Sequence, residues 1–126
     1  ENTLRSVMKA NCSIDPGANA IELDEKWYHW SFIAETIDQL CELLDRKGVP
    51  EGAEVALLCR NRPHQVAAFC AVICSGRCLT PINPFGSAEK IVGDLKDLDA
   101  RVVIAGNSDW DSLGLDAGLQ NQLEFF

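Results

Sequence analysis

The chain has 126 residues, of which 47% are hydrophobic and 24% charged, and a net charge of −8. This is the balance of an ordinary globular domain with enough residues to bury a core, and it excludes disordered, collagen-like and disulfide-held miniprotein classes. The longest uncharged stretch, residues 63–76, has 14 residues, short of the ~20 that a membrane-spanning helix needs. The acidic excess is shared by both halves and basic residues cluster at most in pairs, such as Arg60 with Arg62, which excludes nucleic acid as a main partner.

Residues 1–19 read as an irregular lead-in around Pro16 and Gly17, with a short helix near residues 4–10. Ala20-Ile21-Glu22-Leu23, the turn Asp24-Glu25 and Lys26-Trp27-Tyr28-His29-Trp30 predict a β-hairpin, after which Ser31 is placed to cap a helix. From Phe32 to Lys47, the apolar residues Ile33, Ile37, Leu40, Cys41 and Leu44 recur three or four apart, with Glu35, Asp38, Glu42 and Asp45 between them. That spacing predicts an amphipathic helix, ended by Gly48.

Val55-Ala56-Leu57-Leu58-Cys59 is apolar on consecutive residues, as in a parallel strand covered on both faces. Pro63 opens a helix running to Ser75 with almost no polar face, which predicts cover on most of its sides. Cys78-Leu79-Thr80-Pro81-Ile82 reads as a second buried strand, stopped by Asn83-Pro84. Ser87 is placed to cap a helix that turns Ile91, Leu95 and Leu98 inward, and Val102-Val103-Ile104-Ala105 reads as a third strand. Short connections between these elements give right-handed crossovers. The expected fold is therefore α/β: an N-terminal β-hairpin and helix followed by a βαβαβ parallel-sheet unit, part of a larger three-layer α/β subdomain.

Five of the six cysteines (Cys41, Cys59, Cys70, Cys74 and Cys78) lie in apolar segments, and no CxxC pair is present. They are expected as reduced, buried thiols in a cytoplasmic protein. The chain starts at Glu1 and stops at Phe125-Phe126, which reads as an excerpt of a longer chain whose covering partner lies further on.

Neither a GxGxxG nor a GxxxxGK[ST] loop is present, so the backbone lacks the glycines that let a dinucleotide or P-loop phosphate approach. Cys59 stands at the end of a parallel strand before a helix, where a thiolate can be stabilised. A cysteine phosphatase would need an Arg six residues later, and Gln65 is there. His29 and His64 are the available imidazoles, and without a GxSxG elbow they read as structural or surface residues. Asn107, Asp109 and Asp111 have the alternate spacing of a calcium loop, but Ser112 and Gly118 stand where an EF-hand needs Gly and Glu. The group reads as a solvated, helix-initiating cluster.

The succession His29-Trp30 into an amphipathic helix, Gly48-Val49-Pro50-Glu51-Gly52, Val55-Ala56-Leu57-Leu58, Asn61-Arg62-Pro63, Ala71-Val72-Ile73-Cys74-Ser75-Gly76 and Pro81-Ile82-Asn83-Pro84 resembles the N-terminal region of AMP-forming acyl-CoA synthetases, in the adenylate-forming ligase superfamily. The resemblance runs from about Ala20 to Ala105. A motif that in the family is usually a Thr-Tyr pair followed after one residue by Glu-Leu falls on residues 29–33, with Phe32 at the Glu position. A second, Ala-Gly followed by a strand ending in Pro-Leu-Asp-Pro or Pro-Ile-Asn-Pro, falls on Ser75-Gly76 through Pro84 and is the specific one.

The resemblance implies a parent enzyme that uses ATP and Mg to turn a carboxylic acid into an acyl-adenylate, then passes the acyl group to a thiol such as CoA or a carrier-protein thiol. Fatty, aromatic and amino acids are all compatible with this segment. In full-length relatives the chemistry sits on a Ser/Thr/Gly-rich phosphate loop ending in Pro-Lys-Gly, on later acidic and Arg residues, and on a Lys of a mobile C-terminal domain, none of which occurs in this chain. In some relatives a basic residue just after the Asn-Pro reaches CoA phosphates, and Phe85 holds that position here.

No residue is therefore expected to have a catalytic, cofactor-binding or metal role, and the fragment alone is expected to be inactive. The expected division is a lead-in at 1–19, an incomplete α/β subdomain at 20–106, and a polar segment at 107–126 leading into the rest of the domain. The competing readings are a non-enzymatic α/β interaction module, with the 63–76 helix and the aromatic end as a partner or self-association surface, and a cysteine-dependent phosphatase using Cys59.

Overall fold

The computed structural model describes residues 3–98, 100, 102–113 and 124–125. The lead-in contains a nine-residue helix, α1 (Leu4–Cys12). Its start is fixed by a capping box in which Thr3 accepts from the Ser6 N–H and Ser6 accepts from the Thr3 N–H. The hairpin follows as β1 (Asn19–Leu23) and β2 (Lys26–His29), paired antiparallel. Asp24 and Glu25 both take positive φ, 52° and 67°, the backbone of a tight two-residue hairpin turn.

Helix α2 (Trp30–Arg46) begins one residue before Ser31, with His29 at the cap position and no side-chain cap. The expected Ser31 cap is thus corrected. The reason is tertiary: the Trp30 N–H donates to the Ala18 carbonyl at 3.1 Å and the Ser31 N–H to the Pro16 carbonyl at 3.0 Å. Backbone oxygens of the preceding loop satisfy first-turn donors that a serine would otherwise serve. At the other end Gly48, at φ 72°, lets the Val49 N–H turn back to the Leu44 carbonyl.

The remaining elements are β3 (Glu54–Leu58), α3 (Pro63–Cys74), β4 (Cys78–Ile82), α4 (Ala88–Asp97), β5 (Val102–Ile104), α5 (Asn107–Leu113) and β6 (Glu124–Phe125). The four strands β4-β3-β5-β6 form one parallel sheet in that order. Ser87 caps α4 by accepting the Lys90 N–H, as its position predicts. Helix α5 starts at the Asn107–Asp111 group that reads as helix-initiating, and Phe126 lies outside the described residues.

Alternating side chains of β3 serve opposite faces of the sheet. Ala56 and Leu58 join Ile82, Val103, Ile91 and Leu95 under α4, with Leu113 of α5 packed against them. Val55 joins Val102, Val72 and Leu44 under α2 and α3. A further layer gathers Cys12, Ile33, Ile37, Cys41, Ala67, Ala71 and Cys74 where α1, α2 and α3 meet. Ile37 and Leu44 are fully buried, each contributing about 1.5–3 kcal/mol.

Two burial expectations change. Strand β4 stands at the edge of the described sheet, so Cys78 and Pro81 are exposed rather than buried. On α3, Val66, Phe69 and Ile73 are each more than a third exposed; they form an apolar stripe on the side that no described element covers.

Candidate functional site

The chain leaves β3 toward α3, which covers one face of the sheet, and leaves the neighbouring strand β5 toward α5, which packs on the other. Two adjacent parallel strands whose exits part in this way open a crevice at their carboxyl ends, the usual ligand position in such sheets. A cavity of about 540 Å³ lies there, between Arg60, Arg62, His64 and Gln65 after β3 and Gly106, Ser108 and Asp109 after β5, with Tyr28 of the hairpin at its side.

The two walls are joined by an ion pair. The Arg60 Nε donates to both Asp109 oxygens at 3.0 Å, and its Nη2 donates to Oδ1 at 2.8 Å. Asp109 is 3% exposed, while the Arg60 side chain keeps 30% of its surface open. The carboxylate beside it holds the Arg60 guanidinium above its ordinary pKa. Gly106 leaves room beside the pair: a Cβ there would stand 3.0 Å from the Gln65 Nε2 and 3.8 Å from the Asp109 Oδ2. The expectation of a solvated Asp cluster is thus corrected at Asp109, whereas Asp111 is exposed.

Sequence spacing missed Arg60 and Asp109, which are 49 residues apart. The available signal was the position of each just past a strand end.

Helix α3 starts at the crevice with Arg62 as its cap residue, Pro63 in the first turn and no side-chain cap. The positive end of its dipole therefore lies at the site. His64 is exposed, with its ring edge-on to Phe32 at 5.1 Å and to Tyr28 at 6.1 Å. His29 stands apart as the cap residue of α2. Cys59 is half-buried and donates to the Leu57 carbonyl at 3.4 Å. Burial pushes its thiol pKa up, the opposite of what a thiolate nucleophile requires.

Among the described residues no group of three or more His, Cys, Asp or Glu side chains is placed to hold a metal ion, and no helix is long and apolar enough to cross a membrane. Beyond β4, the Asn83 side chain accepts the Phe85 N–H at 2.9 Å, and Phe85 is 84% exposed. The arrangement presents cationic groups and a shaped crevice without an activated nucleophile.

Residues 8–124 match the family model described as AMP-binding enzyme. The chain is 24% identical over 102 residues to tyrocidine synthase 3 of Brevibacillus parabrevis, a match covering 81% of this chain and 2% of that protein. It is 25% identical over 97 residues to the 2-succinylbenzoate–CoA ligase of Bacillus cereus (strain AH820), covering 77% of this chain and 20% of that one. The chain thus spans a fifth or less of these two relatives' length. Among solved structures, the nonribosomal peptide synthetase FmoA3, bound to α-methyl-L-serine-AMP, superposes with a TM-score of 0.84 at 19% identity, over 99% of this chain and 14% of that one. The fold is that of adenylation domains.

Proposed function

From the premise that the chain belongs to the AMP-binding enzyme family, we propose that it is the N-terminal part of an adenylate-forming ligase of the acyl-CoA synthetase type. In this reading the parent joins a carboxylic acid to the α-phosphate of ATP with release of pyrophosphate. It then transfers the acyl group from AMP to a thiol such as CoA. The observation that carries the reading is the family match over residues 8–124, which includes the Gly76 to Pro84 segment.

The role proposed for this chain is architectural: residues 20–106 supply part of the first α/β subdomain, in a soluble cytoplasmic enzyme, and residues 107–126 lead into the rest. Charge that builds on phosphoryl oxygens has to be met by preorganised cations. The phosphate loop, the later acidic and Arg residues and the C-terminal Lys that the resemblance implies do not occur in this sequence, so the catalytic groups are assigned to other parts of the parent.

A second reading concerns the acceptor alone. Phe85, exposed and uncharged, offers nothing to a CoA phosphate, and relatives include the tyrocidine synthases, so a carrier-protein thiol is the alternative to CoA.

The test is carboxylate-dependent exchange of pyrophosphate into ATP, run on the full-length parent and on the 126-residue chain. The parent exchanges and the chain does not. A parent without exchange for any carboxylic acid overturns the ligase reading, and exchange by the chain alone overturns its architectural role. Thioester formation with CoA against a phosphopantetheinylated carrier protein decides the acceptor.

A further inference from the structure

Helix α3 is packed against α1, α2 and the sheet and is open on its remaining side. Ala67, Ala71 and Cys74 meet α1 and α2, and Val72 meets the sheet. On the open side Val66, Phe69 and Ile73 are 37–39% exposed, and no Asp, Glu, Lys or Arg occurs between residues 63 and 75. Beside Val66 and Phe69 lies a hollow of about 260 Å³ whose other walls are Cys59, Arg60, Asn61 and Gln65. Arg60 and Gln65 also line the crevice, so the open side of α3 adjoins the candidate site.

We propose that a helix from the part of the parent outside these 126 residues lies along this side of α3, with one bulky apolar side chain seated in the hollow, a proposal that rests on the ligase reading. The spacing makes the occupant a helix. Positions 66, 69 and 73 are three and four apart, the narrow seam that one helix offers to another. Its facing side is apolar, because a charged group laid on Phe69 would lose its water with nothing of opposite sign on α3 to meet it.

The size of the seam assigns the occupant to the same polypeptide. Three side chains exposed by little more than a third offer on the order of 200 Å² of apolar surface, against about 800 Å² per partner in a stable complex. A second copy, itself at a net charge of −8, would in addition meet like charge. A segment of the same chain needs no such area, because its connection holds it at an effective concentration of order millimolar. This chain spans a fifth or less of two relatives' length, which leaves ample polypeptide to supply the helix. Once seated, the helix closes the crevice on the side of Arg60 and Gln65.

The test is hydroxyl-radical footprinting of the unsubstituted full-length parent and of the 126-residue chain, each normalised to its urea-unfolded form. Phe69 and Ile73 are expected to be oxidised in the chain and about fivefold less in the parent, the step from 37–39% exposure to that of a buried side chain. In the parent, benzoylphenylalanine in place of Phe69 is expected to photo-crosslink to a peptide outside residues 1–126 of the same molecule, with apolar residues three and four apart. The proposal is overturned if Phe69 is oxidised equally in both proteins, or if the crosslink joins two copies or falls within residues 1–126. A linked peptide that alternates apolar and polar residues, as a strand does, overturns it too. Pyrophosphate exchange separates the two readings: a protected stripe in a parent without exchange fails only the ligase assignment, and an open stripe in an exchanging parent fails only the helix.

Discussion

Removing either end of the Arg60–Asp109 pair has unequal consequences. Arg60→Ala strands a carboxylate that is 4% exposed and that has lost all three of its charge-assisted hydrogen bonds. An uncompensated buried charge costs about 3–5 kcal/mol, and because the crevice admits water the lower end, about 3 kcal/mol, applies here. Asp109→Ala leaves a guanidinium whose side chain is already 30% exposed and can turn to solvent. The loss is then the net worth of the hydrogen bonds, about 1.5 kcal/mol, plus a few tenths for an acid in the first turn of α5. The double substitution leaves no stranded charge, so it costs about 2 kcal/mol, well short of the ~5 kcal/mol sum of the single costs. Urea unfolding followed by tryptophan fluorescence and far-ultraviolet dichroism measures all three variants, with Asp109→Asn as the shape-preserving control. The reasoning fails if Asp109→Ala costs as much as Arg60→Ala, or if the double variant is additive within ~0.5 kcal/mol.

The hairpin turn carries strain that one substitution should relieve. Glu25 sits at φ 67° beside Asp24 at 52°, and Glu25→Gly is expected to stabilise the chain by about 0.5–1 kcal/mol in the same unfolding assay. Asp38 supplies a pH dependence: the hydrogen bond from Lys9 holds its carboxyl below the usual range. A depressed folded-state pKa means stability that is present above the unfolded value and lost as pH falls through the folded one, so the loss lies below about pH 4. With both partners nearly half-exposed the effect is at most ~0.5 kcal/mol, and Asp38→Asn should flatten that part of the acid limb.

The parts of the fold that announced themselves did so through repetition. Ile33, Ile37, Cys41 and Leu44 repeat at helical spacing and all are buried, and the unbroken apolar run of β3 marked a strand with helices on both faces. Features decided between distant segments left no such trace. The carbonyls of Pro16 and Ala18 displaced Ser31 as the cap of α2, a contact set by how the loop closes on the hairpin. Asp109 reads locally as one more acid in a polar run, and its burial follows from Arg60 reaching it across the strand ends. At α3 the composition was read correctly as apolar all round, yet the uncovered stripe of Val66, Phe69 and Ile73 depends on protein that the described elements do not supply.

Pro81 gives strand β4 a directional property. The Cys78 N–H donates to Ala53 and the Ile82 carbonyl accepts from Cys59, so the even-numbered residues of β4 turn their backbone toward β3, and Leu79 and Pro81 turn theirs outward. Proline brings no donor to that outer side. A strand from another molecule laid along β4 would find a donor at Leu79 and none at Pro81, two residues further on. An interrupted row of this kind discourages edge-to-edge aggregation, so a proline inside β4 also guards the edge of the described sheet.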